Sequence, residues 1–445
     1  MPEVILPGTY IEVRDEGLIS AGRISTGNIG VVGTAAQGTE FAPELISSLS
    51  EAREKFGAAN AQTTLVRSLE LIYQNGGKTV YAVSTGLSSR YEFKKTRDGQ
   101  EAIALAVQAQ KPGKAGDSIT VTVSAGAPDV DTRMVTFKTA TATETYPVRT
   151  LGELAKLIAD KSELVQVVRL DPGLQHEHPN NISSGTFAGG KDADYAKGLE
   201  ALENEVVNIV VLAGQDTGTP AMVAALAGHL NKTAGIKRER IGVMGIGFDA
   251  NGRDPVPEDV PASDRLILVS PGAVVQEKPV SAGYMAAAVA GAIAALPVHT
   301  SPTNKTLVLE GLTTTFNSAT LEKLVQRRVL AVEKRDGFRI VKGITTHDGA
   351  WQQITTRRIV DYAIYGVRSS CNPYIGKLNN VRVRGAMKAT LNGFLTRMVE
   401  NEALVGYELE VSATRDQEIA GEAIVSMTLK PTFSIDFVKV TLYLS

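Results

Sequence analysis

One cysteine in 445 residues, Cys371, leaves no partner for an internal disulfide and fits a chain made in a reducing cytoplasm. Its surroundings read as a packed helix. A surplus of charge is missing as well: 46 Lys and Arg stand against 48 Asp and Glu, a net of −2. No global field would recruit a polyanion, so no nucleic-acid contact is expected. The opening MPEVILPGTY carries an acid and two prolines and lacks a basic region followed by an apolar core, so no secretion signal is expected and the chain is placed in the cytosol, or released from it by lysis. Long apolar runs are scarce. The charge-free stretch from Ser281 to Val298 is rich in Ala and Gly rather than Leu and Ile, and it ends at a proline. It sits at the lower limit for crossing a bilayer and reads as a helix buried against a sheet, with no stable membrane insertion.

Catalytic patterns are absent or incomplete. The chain has no GxxxxGK[ST] phosphate loop and no GxSxG nucleophile elbow. Gly245, Gly247 and Ala250 match the dinucleotide pattern after a strand, but the Pro-rich NGRDPVPEDVPASD follows where a helix would have to open, so a strand-end loop is expected. His176, Glu177 and His178 are neighbours on a loop and give at most an incomplete metal set. His229, in AALAGHLNK, reads as a structural histidine, and His347 and Asp348 as turn residues. Neither catalytic residues nor a cofactor or metal site is assigned.

What is present is a layered α/β pattern broken by a β-rich stretch. Residues 1–25 form an extended arm. Residues 26–90 give strand, helix, helix, strand: Leu65, Leu69 and Ile72 share one helical face, and KTVYAVST is the closing strand. Residues 91–185 alternate with period two between Gly, Pro and Asp turns and add one amphipathic helix, LGELAKLIADK, as in a small inserted β-sandwich. Residues 186–306 return to α/β, with VVNIVVLAG, RIGVMGIG and RLILVS as buried parallel strands of a doubly wound sheet. Residues 307–445 read as an α+β domain: a hairpin turning at Arg335, Asp336 and Gly337, two long helices, then GYELEVS, EAIVSMTLKP and a terminal strand. The first long helix is striped by Val360, Ile364, Val367 and Cys371, the second by Met387, Leu391, Leu395 and Met398.

The terminal strand TFSIDFVKVTLYLS changes face partway. Its apolar positions are Phe433, Ile435 and Phe437, and then Val438, Val440, Leu442 and Leu444. Side chains alternate across a strand, so the slip moves the apolar row to the other side. The expectation is that the first half packs on its own domain and the second is captured by another copy. A second surface feature is the basic cluster Arg382, Arg384 and Lys388 at the start of the last long helix, where cations oppose the helix dipole and suit an acidic partner.

Several segments, in order, resemble the contractile tail sheath proteins of bacteriophages and related injection machines. They are PGTYIEV, GVVGTAAQGTEFAPELISSLSEAREKFG, NGGKTVYAVSTG, ALAVQAQKPGKAGDSITVTV, GGKDADYAKGLEALENEVVNIVVLAG, AAAVAGAIAALPVHTSPTNKTLVLEGL and GEAIVSMTLKPTFSIDFVKVTLYL. The resemblance implies a structural protein, not an enzyme, whose central domain is subtilisin-like in fold without being proteolytic. It implies hexameric rings stacked helically around a tail tube, contraction on a signal from the baseplate, and contacts with tube, baseplate and tail terminator proteins. Its place would be the virion tail, assembled in the host cytoplasm. Strand arms exchanged between subunits are assigned to Val4, Ile5, Tyr10, Ile11 and Val13 and to Val438, Val440, Leu442 and Leu444. Arg382, Arg384 and Lys388 are assigned to the tube-facing side. A phage-derived injection system or bacteriocin particle is the alternative setting; a non-contractile shell protein and a cytosolic α/β hydrolase are the rivals.

Overall fold

The protein is described by a computed structural model over residues 25–97, 100–126, 131–179 and 185–443. Val4, Ile5, Tyr10, Ile11, Val13 and Leu444 lie outside the described residues. The chain divides into an α/β unit, Gly27–Pro297 with Ser301–Ile354, and a C-terminal unit that contains Val298–Thr300 and everything from Thr355 onward.

The α/β unit opens with strands β1 (Ile29–Gly33) and β2 (Pro43–Ile46), helices α1 (Leu49–Phe56) and α2 (Leu65–Gln74), and strand β3 (Val80–Ser84). Ser48 caps α1 by accepting from the Glu51 N–H, which leaves one fewer unsatisfied donor at the helix start. The α2 face expected from spacing, Leu65, Leu69 and Ile72, is fully buried.

The next stretch contains strands β4 (Arg90–Arg97), β5 (Gln100–Ala109), β6 (Thr120–Ala125), β7 (Arg133–Lys138) and β8 (Thr143–Val148), helix α3 (Leu151–Lys161), and strands β9 (Val165–Leu170) and β10 (Gly185–Thr186). They form two antiparallel sheets, ordered β4-β5-β9 and β10-β6-β7-β8. Phe93, Leu105 and Val107 from the first sheet meet Val121, Val135 and Phe137 from the second in one core, which α3 joins through Leu151, Leu154 and Ile158. Entry and exit are tied together, because Leu87 and Lys191 exchange two backbone hydrogen bonds of 2.9 Å.

The α/β order then resumes with α4 (Tyr195–Ala201), β11 (Ile209–Asp216), α5 (Pro220–Gly235), β12 (Ile241–Gly245), β13 (Leu266–Ser270), β14 (Ala273–Val275), β15 (Lys278–Val280), α6 (Ala282–Ala295), β16 (Thr306–Leu307), β17 (Gly311–Leu312), α7 (Ser318–Gln326), β18 (Leu330–Lys334) and β19 (Phe338–Ile340). Nine strands make the main sheet, in the order β16-β19-β18-β13-β12-β11-β1-β3-β2, and its six middle strands, from β18 to β3, are parallel. Alternation sorts the side chains: Ile209, Val211, Val243, Ile267 and Val269 lie in a core with α2 and α6, while Val210, Leu212, Met244 and Leu268 face α4 and α5. Both faces are covered, which is why these strands read as unbroken apolar runs.

One boundary moves. The hairpin β18–β19 does turn at Asp336 and Gly337, both at positive φ, but it extends the main sheet through β18 pairing parallel with β13. Leu307–Ile354 therefore belong with the α/β unit and not with the C-terminal part assigned from residue 307. The reason is burial on two faces: Leu330 and Val332 enter one core and Ala331 the other.

Helix α6 has no polar side, and twelve of its residues are buried. Its small residues permit close approach: a Cβ at Gly291 would lie 2.5 Å from the Ile72 carbonyl oxygen. Among the described residues no helix is long and apolar enough to cross a membrane.

The C-terminal unit holds α8 (Ile354–Cys371, from its second residue), α9 (Val381–Glu400), β20 (Leu404–Ser412), α10 (Arg415–Ala420) and β21 (Ile424–Pro431). Its core is small: Val298, Ile359, Ala363, Phe394, Leu395, Met398, Ala403 and Leu404. The buried line on α8 is Ile359, Ala363, Gly366 and Ser370, and the expected stripe of Val360, Ile364, Val367 and Cys371 is only half-buried. The helix is turned by one residue because Gly366 receives the Phe394 ring, which comes within 1.8 Å of where a Cβ would stand. On α9, Leu391, Leu395 and Met398 of the expected stripe are buried, and Met387 is only half-buried.

Candidate assembly surface

In open α/β sheets a ligand sits beyond the carboxyl ends of the strands, where the strand order reverses. Here that crevice lies between β1 and β11, and the chain's own side chains close it. The Tyr195 hydroxyl accepts from Gln215 Nε2 at 2.9 Å, donates to the Ala213 carbonyl at 3.3 Å and lies 3.3 Å from Thr64 Oγ1. Burial pushes its pKa up to about 12, so it stays a neutral phenol. Gly214 packs against Thr64 and the Tyr284 hydroxyl. The paired glycines after β12 have a packing role. A Cβ on Gly245 would stand 2.0 Å from the Ala282 carbonyl carbon, and one on Gly247 2.5 Å from the Gly218 nitrogen. No helix opens at either.

Three of the five histidines, His229, His178 and His347, are held by hydrogen bonds, while His176 is exposed. His229, buried on α5, places Nε2 3.0 Å from Nη1 of Arg240, a fully buried guanidinium that also donates to the carbonyls of Leu202, Glu203 and Glu205. Nε2 must accept, so the neutral ring carries its proton on Nδ1. Burial and then the Arg240 charge push its pKa down to about 3. The folded state thus binds fewer protons than the unfolded chain between roughly pH 6.5 and 3. Stability is expected to fall on acidification through that window, by at most about 1.4 kcal/mol per pH unit from this group. His229→Gln should flatten the dependence of the urea midpoint on pH between 6.5 and 4; an unchanged slope would assign the acid sensitivity elsewhere. His178 Nε2 lies 2.6 Å from the Asp131 carbonyl, and Glu177 pairs with Lys95. His347 Nδ1 accepts from the Gly349 N–H. Among the described residues no group of His, Cys, Asp or Glu is placed to hold a metal. Burial pushes the half-buried Cys371 thiol up, away from the reactive thiolate.

The unusual surface lies on the C-terminal unit. Strands β20 and β21 form a two-stranded antiparallel ribbon, and no other strand among the described residues pairs with it. Tyr407, Leu409 and Leu429 on one face pack against the small core. Two strands are marginal alone, and open edges are templates for further pairing. After Pro431 the Thr432 N–H bonds the Ala403 carbonyl, and the following chain to Tyr443 lies outside any strand. Val438, Val440 and Leu442 are exposed by 80%, 74% and 83%. Phe433, Ile435 and Phe437 are also exposed, while Ser434 and Asp436 between them are half-buried. This corrects the expectation that the apolar row of the first half packs on its own domain: that row is exposed, and the polar row between is the half-buried one.

The basic cluster divides. Arg384 is buried and donates to Asn379 Oδ1 at 2.8 Å and Glu418 Oε1 at 2.9 Å, so it ties the start of α9 to α10 and is not a tube-facing cation. Arg384 and Arg415 hold the Glu418 carboxyl below its usual range, Arg415 contributing more. Arg382 and Lys388 are exposed. Sequence spacing placed all three on one helix end and could not reveal that Glu418, 34 residues away, claims the middle one.

An α/β unit whose ligand crevice is filled and a C-terminal unit that displays an open ribbon and an apolar arm are the features of a self-assembling structural subunit. The phage tail sheath protein central domain matches residues 188–346 and the phage tail sheath C-terminal domain residues 346–445, together more than half of the chain. The chain belongs to the phage tail sheath family and is a structural tail sheath protein. Its fold is similar to the contracted helical sheath of the anti-feeding prophage (16% identity, 99% of each chain, TM-score 0.61). It is also similar to a sheath tail protein from Listeria innocua (16% identity, 92% of this chain and 93% of that one, TM-score 0.58). A third similar fold is the contracted sheath complex of an extracellular contractile injection system, PVC (14% identity, 100% of this chain and 98% of that one, TM-score 0.57). No curated protein matches the chain.

Proposed function

We propose that this chain polymerises as stacked hexameric rings around a tail tube and contracts to drive the tube through a target cell envelope. The observation that carries the reading is the pairing of an open ribbon, β20–β21, with an exposed apolar arm after Thr432. Strand addition takes affinity from main-chain hydrogen bonds and register from alternating side chains. Both ribbon edges are unpaired among the described residues, which suits two arms, one from Val4–Val13 and one from the chain after Thr432. Head-to-tail contacts of this kind need not close, and so build helical tubes. Exchanged strands would keep neighbours linked while rigid units repack during contraction. The contracted state of two similar sheaths supports this mechanism. Tube, baseplate and tail terminator proteins are the expected partners, in a phage tail or in an injection particle derived from one. The inserted β-sheets and a subtilisin-like, non-catalytic α/β unit complete the proposed architecture.

Electron microscopy of the purified chain with its tube protein tests the reading. Ringed tubes are expected; closed shells or dispersed particles would refute it. Tube contact is assigned to Arg382 and Lys388. Reversing both to Glu should leave sheath self-assembly intact and lower tube-guided assembly about tenfold, the effect of losing roughly 1.4 kcal/mol at the contact. Unchanged tube-guided assembly would remove these residues from the contact. Arg384→Glu is a poor probe, since it would leave Glu418 facing another carboxylate.

A further inference from the structure

The phase slip in the arm and the geometry of the ribbon fit together in one way. The ribbon is one-sided. Tyr407 pairs with Leu429, Leu409 with Met427 and Val411 with Val425 on its half-buried side, while Glu408, Glu410, Ser426, Thr428 and Lys430 are exposed on the other. A strand added at its edge must place apolar residues on the first side and polar ones on the second. A flat strand built from the arm cannot do so. With Phe433, Ile435 and Phe437 on the apolar side, Val438, Val440 and Leu442 would fall among the glutamates.

Resting on the arm-exchange reading above, we infer that the arm of a second copy lies along the β20 edge as one strand carrying a β-bulge at Phe437–Val438. A bulge opposes two residues to one and restores the phase by a single position. Both apolar rows then face the same side. The polar row becomes Ser434, Asp436, Lys439, Thr441 and Tyr443, which sets the Lys439 ammonium on the face that carries Glu408 and Glu410. Length agrees too: Phe433 to Leu442, less the bulged residue, matches the nine residues of β20. The first row is accessible as well, with Phe433, Ile435 and Phe437 all exposed.

Deleting Phe437 joins the two rows into one unbroken alternation, and so does inserting a threonine between Phe437 and Val438. Each variant is followed by sedimentation and electron microscopy of sheath formation, with thermal unfolding of the soluble protein as a check on folding. Both variants are expected to form tubes within about twofold of wild-type yield, while Val438→Asp with Val440→Asp lowers the yield more than tenfold. Loss of tubes in both phase variants, with unfolding unchanged, would mean that the rows serve opposite faces and would overturn the bulge. Normal tubes after removal of the whole arm would instead overturn strand exchange itself.

Discussion

Gly245→Ala is expected to be among the most damaging single substitutions in the α/β unit. The new methyl carbon would stand 2.0 Å from the Ala282 carbonyl carbon, 2.2 Å from the Gly283 nitrogen and 2.4 Å from the Ala282 carbonyl oxygen. All three belong to backbone at the start of α6, a helix buried on every side, so no rotamer change relieves the clash. Overpacking in a core costs about 1–3 kcal/mol when side chains can adjust. Here main chain must move, and a loss of about 3 kcal/mol or more is a large part of the ~5–15 kcal/mol that holds a domain folded. Chemical denaturation reads the effect as a lowered midpoint, with lost near-UV dichroism in the extreme case. Gly393→Ala is the control: apart from its chain neighbours and the adjacent helix backbone, no atom lies within 4 Å of its Cβ position in the middle of α9, and the change should stabilise by about 0.5–1 kcal/mol. A wild-type midpoint for Gly245→Ala would show that α6 can shift outward.

Deletion of residues 438–445 is expected to abolish long sheaths and leave the fold untouched. The described part of that segment is exposed and outside any strand, and its large apolar side chains lie in none of the hydrophobic clusters. Unfolding free energy should therefore change by no more than about 0.5 kcal/mol, as for surface changes generally. Assembly should respond in the opposite way, since an exchanged strand contributes a whole ladder of main-chain bonds. Negative-stain images and sedimentation distinguish the outcomes: dispersed particles or short ring stacks support strand exchange, and tubes of normal length refute it.

The parts of the fold that were legible in the sequence are those governed by local periodicity. VVNIVVLAG and RLILVS announce strands covered on both sides, and the Leu65, Leu69 and Ile72 spacing announces the inner face of α2. The Ala-rich run from Ser281 also reads correctly as a buried helix, because small side chains suit close packing and not lipid. Where several elements compete for one residue, local reading fails. The Val360 stripe lost to the Ile359 line because Phe394 needs the hollow at Gly366. Arg384 looked free because its acceptor, Glu418, is distant in sequence. The hairpin from Leu330 looked like the start of another domain until its parallel pairing with β13 assigned it to the main sheet.

By itself the sequence determined the layered α/β character, the inserted β-rich stretch, the lack of catalytic motifs and the odd phase of the final strand, since these depend on the order of apolar, polar and turn residues along the chain. Only the tertiary structure decided which glycines make room for backbone, which cation is spent on an internal carboxylate, and which way the arm's apolar row faces. These depend on distances between residues far apart in the chain, and the free energy that settles them, burial and pairing across elements, is not written in any one segment.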